Sequence, residues 1–215
     1  RSYERLFWKI IVKITIENCG KNYHQNWLYR NISIELNLLP GNSYALLGNN
    51  GSGKSTLLLL LSGYIATHSG SITWSLDSKP IPAEEVPKLM AYCTPQLQLD
   101  EHLTVHEQIE FYFRFKPIIN TESIATVLDF AQLQNHKHKS VNQLSSGLQQ
   151  RLKLSLALCS NTPVLCLDEP TNHLDKAGIM WYTEALQRFS KNRLVIVASN
   201  HNTNEYDSMS NAVQL

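Results

Sequence analysis

The sequence is short of the features that assign a protein at a glance. Its four cysteines, Cys19, Cys93, Cys159 and Cys166, are scattered, without the close pairing that zinc or a redox centre requires. They read as reduced, mostly buried thiols, which suits a cytosolic compartment. Neither sign of charge is in excess: 19 Lys and Arg against 18 Asp and Glu leave a net charge of +1. Bulk electrostatics therefore provides no hold on nucleic acid, and no nucleic acid is expected as a partner.

Long apolar runs are missing as well. Leu57 to Leu61 is among the longest, far below the roughly 20 residues that cross a bilayer, and no signal-peptide pattern opens the chain. Any work at a membrane is expected from outside it. Arg1 to Lys9 is assigned no function. No repeat, low-complexity tract or proline-rich linker divides the chain. One domain over residues 1–215 is expected, within the usual size range.

What is present is a globular composition, 43% apolar and 17% charged, with patterning that alternates between two periods. Val12, Ile14 and Ile16, then Ile32, Ile34 and Leu36, recur at every second residue and predict two strands of an antiparallel layer. Pro40, Gly41 and Asn42 predict a turn before a short strand over Tyr44 to Leu47. A helical lobe is expected over about 97–150: Thr104 and Glu107 have capping-box spacing, and Ile109, Tyr112 and Phe113 share a face, as do Ile124, Val127, Leu128 and Ala131. Helices near Ser146 to Leu158 and Lys176 to Ser190 alternate with apolar strands at Val164 to Leu167 and Leu194 to Ala198. That order predicts an α/β fold with a mainly parallel sheet.

Two stretches carry chemistry. Gly48, Asn49, Asn50, Gly51, Ser52, Gly53, Lys54 and Ser55 fill the phosphate-binding loop pattern between a strand and a leucine-rich helix, which makes the core a P-loop NTPase. Its glycines let backbone amides face a polyphosphate, Lys54 brings charge to the β and γ phosphates, and the Ser55 hydroxyl suits Mg²⁺. Thr56 extends the phosphate contacts at the helix start, where the dipole favours an anion. The second stretch is the apolar run ending in Asp168 and Glu169. Asp168 is expected to hold Mg²⁺ through water, and Glu169 to orient or activate an attacking water.

The run from Leu167 through Asp175, LDEPTNHLD, resembles the ATP-binding cassette (ABC) family, and the resemblance extends from about Ile14 to Leu215. It implies that Tyr23 stacks on adenine, with Trp27 as the substitute. It implies that Gln96 reaches Mg²⁺ and the attacking water, and that His201 contacts the γ-phosphate. Leu144, Ser145, Ser146, Gly147 and Leu148 are similar to the signature segment, with Ser146 in place of a glycine and Leu148 in place of a glutamine; Gln150 and Arg151 continue it. Ser145, Ser146 and Gly147 are then expected to touch the γ-phosphate held by a second subunit. Asn172 to Asp175 would cross the interface between the subunits. His136 and His138 lie in a charged surface stretch and are given no role.

The resemblance implies the ATP-binding and hydrolysing subunit of an ABC transporter, with ATP and Mg²⁺ as cofactors. Its implied partners are a second copy or a paralogous cassette and separate transmembrane subunits, on the cytoplasmic face of the membrane. The short lobe is similar to exporter-type cassettes, the haem-exporter group among them. Two rivals are a soluble ABC ATPase of DNA maintenance or translation and a regulatory nucleotide sensor. The first would bring a long coiled coil or a second cassette, and the second would lack Glu169 or His201.

Overall fold

The computed structural model describes residues 11–24, 26–37, 42–119, 123–190 and 193–215. Arg1 to Lys9 and the turn residues Pro40 and Gly41 lie outside them. The antiparallel layer has the order β2-β1-β4-β5. It comprises β1 (Val12–Tyr23), β2 (Asn26–Asn37), β4 (Ser69–Leu76) and β5 (Lys79–Ile81). β1 pairs with β2 and β4, and register shifts around Glu17 to Gly20 interrupt its alternation. Those bulges are why its periodicity fades beyond Ile16.

A second sheet has the order β6-β7-β8-β3-β9 and is parallel throughout. Its strands are β3 (Ser43–Leu47), β6 (Met90–Cys93), β7 (Val164–Asp168), β8 (Leu194–Ser199) and β9 (Asn211–Gln214). Every residue of β7 and β8 is buried, as expected of central parallel strands covered on both faces. Their side chains divide by parity. Val164, Cys166, Leu194, Ile196 and Ala198 pack with Leu57, Leu58, Leu60 and Leu61 of α1 (Lys54–Leu61). That same core takes in Val12, Ile14, Ile16, Cys19, Leu36 and Trp74 of the antiparallel layer, so α1 lies between two sheets.

The opposite parity, Leu165, Leu167, Val195 and Val197, packs with α5 (Ser146–Leu158) and α6 (Lys176–Phe189). The short α2 (Val86–Leu89) leads into β6, and α3 (Val105–Phe113) and α4 (Ile124–Ala131) extend the core under α5 and α6 through Val105, Ile109, Val127, Leu128 and Ala131. The Thr104 and Glu107 capping box forms at the head of α3. All four cysteines are buried. His136, read as a surface residue, is half-buried, and its Nδ1 is enclosed.

Arg193, immediately before β8, ties the far end of α5 to the sheet. It is 4% exposed and donates to Thr162 O at 2.8 Å, Leu158 O at 2.9 Å and Thr162 Oγ1 at 2.7 Å. Burial draws its pKa down to about 10, so it stays charged at neutral pH. Its position satisfies the carbonyls that a helix C-terminus leaves open and suits the dipole there. Arg193→Met keeps much of the volume and removes these donors. We expect a loss of about 3 kcal/mol, seen as a fall in melting temperature of roughly 6–12 °C by calorimetry.

Candidate functional site

The parallel topology brings the C-terminal ends of β3, β7 and β8 side by side, the crevice where open α/β sheets take ligands. From β3 the chain enters the glycine-rich turn. Gly53 has φ 102, and a Cβ there would meet Tyr29 and Leu28 at 2.7 and 2.8 Å, so only glycine fits between β2 and the helix start. α1 has no side-chain cap, which leaves its first amides for an anion. Lys54 is buried, with Nζ donating to Gly48 O at 2.7 Å and Asn49 O at 3.0 Å.

Tyr23, Leu28, Asn50, Gly51, Gly53, Lys54, Ser55, Thr56 and Glu169 line one concavity of about 330 Å³. Of the two aromatic candidates it takes in Tyr23, which is 49% exposed. Trp27 lies outside the lining and faces Arg30, 4.5 Å from its ring centroid.

β7 ends in Asp168, which is 1% exposed. Burial is the main reason its carboxyl titrates above the ordinary aspartate range, and the neighbouring Glu169 charge adds to this. Hydrogen bonding from Ser55 and Thr94 and the charge of Lys54 oppose it. Among the described residues no hydrogen-bond partner reaches the buried Oδ1 of Asp168, while Oδ2 lies 3.4 Å from Thr94 Oγ1. Thr94 Oγ1 also bonds to Oε1 of the exposed Gln96. A buried, underpartnered carboxylate beside the Ser55 hydroxyl fits Mg²⁺, which takes one or two protein oxygens and completes its shell with phosphate and water.

Glu169 and His201 both hold positive φ, 44° and 55°, as does His173 at 66°. Such conformations cost about 1–3 kcal/mol each and persist where surrounding contacts impose them. Glu169 Oε2 accepts from Asn172 Nδ2 at 2.6 Å. A second concavity of about 260 Å³ is lined by Asn50, Glu169, Asn172, Asn200, Asn202 and Glu205. Thr94 and Glu205 were missed by motif reading; only burial sets them apart from other polar residues.

Ser145 and Ser146 are exposed at the head of α5 and, with Gly147, lie outside both concavities. Ser145 caps the helix by accepting from Leu148 N. Leu148 packs on the core, which accounts for an apolar residue there. A Cβ on Gly147 would meet His173 O at 2.9 Å, and Gln150 Nε2 donates to Pro170 O at 3.0 Å. The loop after β7 therefore lies directly on the first turns of α5.

A family model described as ABC transporter matches residues 30–172. The chain belongs to the ABC transporter family. It is 27% identical over 205 residues to the lantibiotic transport ATP-binding protein SrtF of Streptococcus pyogenes, covering 93% of this chain and 85% of that protein. It is 34% identical over 178 residues to the Nod factor export ATP-binding protein I of Burkholderia thailandensis, covering 80% of this chain and 57% of that one. The fold matches a putative ABC transporter ATP-binding protein from Pyrococcus furiosus with TM-score 0.77 and 21% identity, over 94% of this chain and 97% of that chain. As a member of this ABC family, the chain is an ATP-binding, ATP-hydrolysing transport ATPase.

Two outcomes follow from the geometry. A phosphate contact by Lys54, the expectation for this loop, predicts that Lys54→Ala will weaken ATP binding roughly 10- to 100-fold, because hydrogen bonds to charged groups contribute about 1.5–3 kcal/mol; titration of a fluorescent ATP analogue measures it, and circular dichroism should show the domain still folded. Asp168→Asn removes a buried charge and raises the melting temperature in nucleotide-free buffer at pH 7 by about 2–4 °C. Because the folded carboxyl is shifted upward, the cost of its charge is present above that shifted value and vanishes below the ordinary aspartate range. The difference between the two proteins therefore closes in acid.

Proposed function

We propose that this chain energises a transporter by closing with a second copy, or a paralogous cassette, around Mg²⁺-ATP. The observation that carries the reading is the split of the phosphate-binding groups: Ser145, Ser146 and Gly147 sit on a surface apart from the concavity over Lys54 and Ser55. One chain thus holds two half-sites, and each is completed by the other subunit.

In the closed pair Tyr23 stacks on the base, the amides of Gly48 to Ser55 and Thr56 hold the phosphates, and Lys54 neutralises charge at the β and γ positions. Ser55, Gln96 and, through water, Asp168 would hold Mg²⁺, which supplies charge neutralisation between the phosphates. Glu169 orients the attacking water and takes up its proton, and His201 contacts the γ-phosphate. Ser145 and the amide of Gly147 come from the other subunit, at a helix start suited to an anion. Hydrolysis removes the bridging phosphate and the pair reopens, a two-state element able to move a membrane partner.

The proposed load is a set of separate transmembrane subunits, with this chain peripheral on the cytoplasmic face; among the described residues no helix is long and apolar enough to cross a membrane. The helical lobe over about 97–150, with the segment around Gln96, is the surface proposed to meet them. The export named for the Nod factor relative supports an outward direction, with the cargo chosen by the membrane subunits.

Glu169→Gln tests this. Turnover should fall by about 10²- to 10⁴-fold, the usual worth of a positioned base, while ATP affinity is kept and light scattering shows an ATP-dependent dimer. Wild-type turnover, or a monomer at saturating Mg²⁺-ATP, would refute the reading.

A further inference from the structure

The geometry points to Glu205 as a positioning residue that sets the relative placement of Glu169 and His201. This rests on the roles proposed above for those two residues. Glu205 lies on the four-residue helix α7 (Thr203–Tyr206) after β8, is 2% exposed, and is remote in sequence from the loop it holds. Oε1 accepts from Thr171 N at 3.1 Å and Thr171 Oγ1 at 2.7 Å; Oε2 accepts from Ser199 Oγ at 2.5 Å. Both carboxylate oxygens thus receive donors, one from the loop after β7 and one from the end of β8.

Thr171 is two residues beyond Glu169, and Ser199 is two before His201. Asn202 closes the circuit by donating from its backbone N to Ser199 Oγ at 3.2 Å and from Nδ2 to Thr171 Oγ1 at 2.9 Å. Tyr182, fully buried on α6, donates from its hydroxyl to Glu205 O at 3.1 Å and anchors the clamp to the core. Glu169 and His201, both left-handed, flank this network. A carboxylate offers only acceptors and satisfies all three donors, whereas a glutamine amide must turn its NH₂ toward one of them. The clamp is therefore specific to a carboxylate.

Glu205→Gln should lower kcat roughly 10- to 100-fold, as expected when catalytic groups shift by about an ångström, with ATP affinity changed less than about twofold because the phosphate loop is untouched. Thr171→Val, which deletes one donor with little change of shape, should lower kcat in the same way, and Thr171→Ser should recover most of that loss. The double variant Glu205→Gln with Thr171→Val should be less than additive, since both act through one contact. A lower melting temperature with unchanged kcat in Glu205→Gln and Thr171→Val would show a structural role only and overturn the inference. So would equal losses in Thr171→Val and Thr171→Ser. Glu169→Gln run beside them separates the two failures. If it turns over normally, the role of Glu169 falls. If it is inactive while Glu205→Gln hydrolyses ATP at the wild-type rate, Glu205 alone loses its role.

Discussion

A charge at the end of a wholly buried strand is the constraint around which this molecule is arranged. Asp168 follows four buried apolar residues of β7 and keeps almost no contact with water. Placing a carboxylate there is unfavourable unless neighbours supply donors or a cation. Ser55, Thr94 and Lys54 provide part of that compensation, and Oδ1 is left for something else. The cost is the signature of a site shaped for a ligand, since a sequence selected for stability alone would place an apolar residue there.

The rest of the site inherits its geometry from the same two strands. Because β7 and β8 are covered on both faces, their polar continuations emerge together at one edge. There Glu169, Asn172, Asn200 and Asn202 form a polar rim next to the phosphate loop, while His201 is exposed and lies outside the lining of both concavities. The loop after β7 is held from two directions, by Glu205 on one side and by Gln150 and the close approach of Gly147 to His173 on the other. That segment is thus fixed both to the polar rim and to the head of α5.

Much of this was legible in the sequence. The phosphate loop is read from local spacing, because backbone amides facing a polyphosphate need glycines at set intervals. The boundaries of α5 emerge from the Ser145 cap and the leucine pattern, and the structure places that helix at Ser146–Leu158. Strands β7 and β8 announce themselves as unbroken apolar runs. By contrast β4, β5, β6 and β9 went unnamed; β9 has one partly buried residue and exposed neighbours, so no hydrophobic period marks it.

By itself, the sequence determined the class of fold, the family, and the residues whose chemistry depends on neighbours a few positions away. Those signals are local, and local spacing survives in a string of letters. Tertiary packing was needed to settle which of Tyr23 and Trp27 lines the concavity over the glycine-rich loop, that Thr94 sits between Gln96 and Asp168, and that Glu205 joins Thr171 to Ser199. Those pairings come from strand register and burial, which bring together residues far apart along the chain, where no periodicity records their contact.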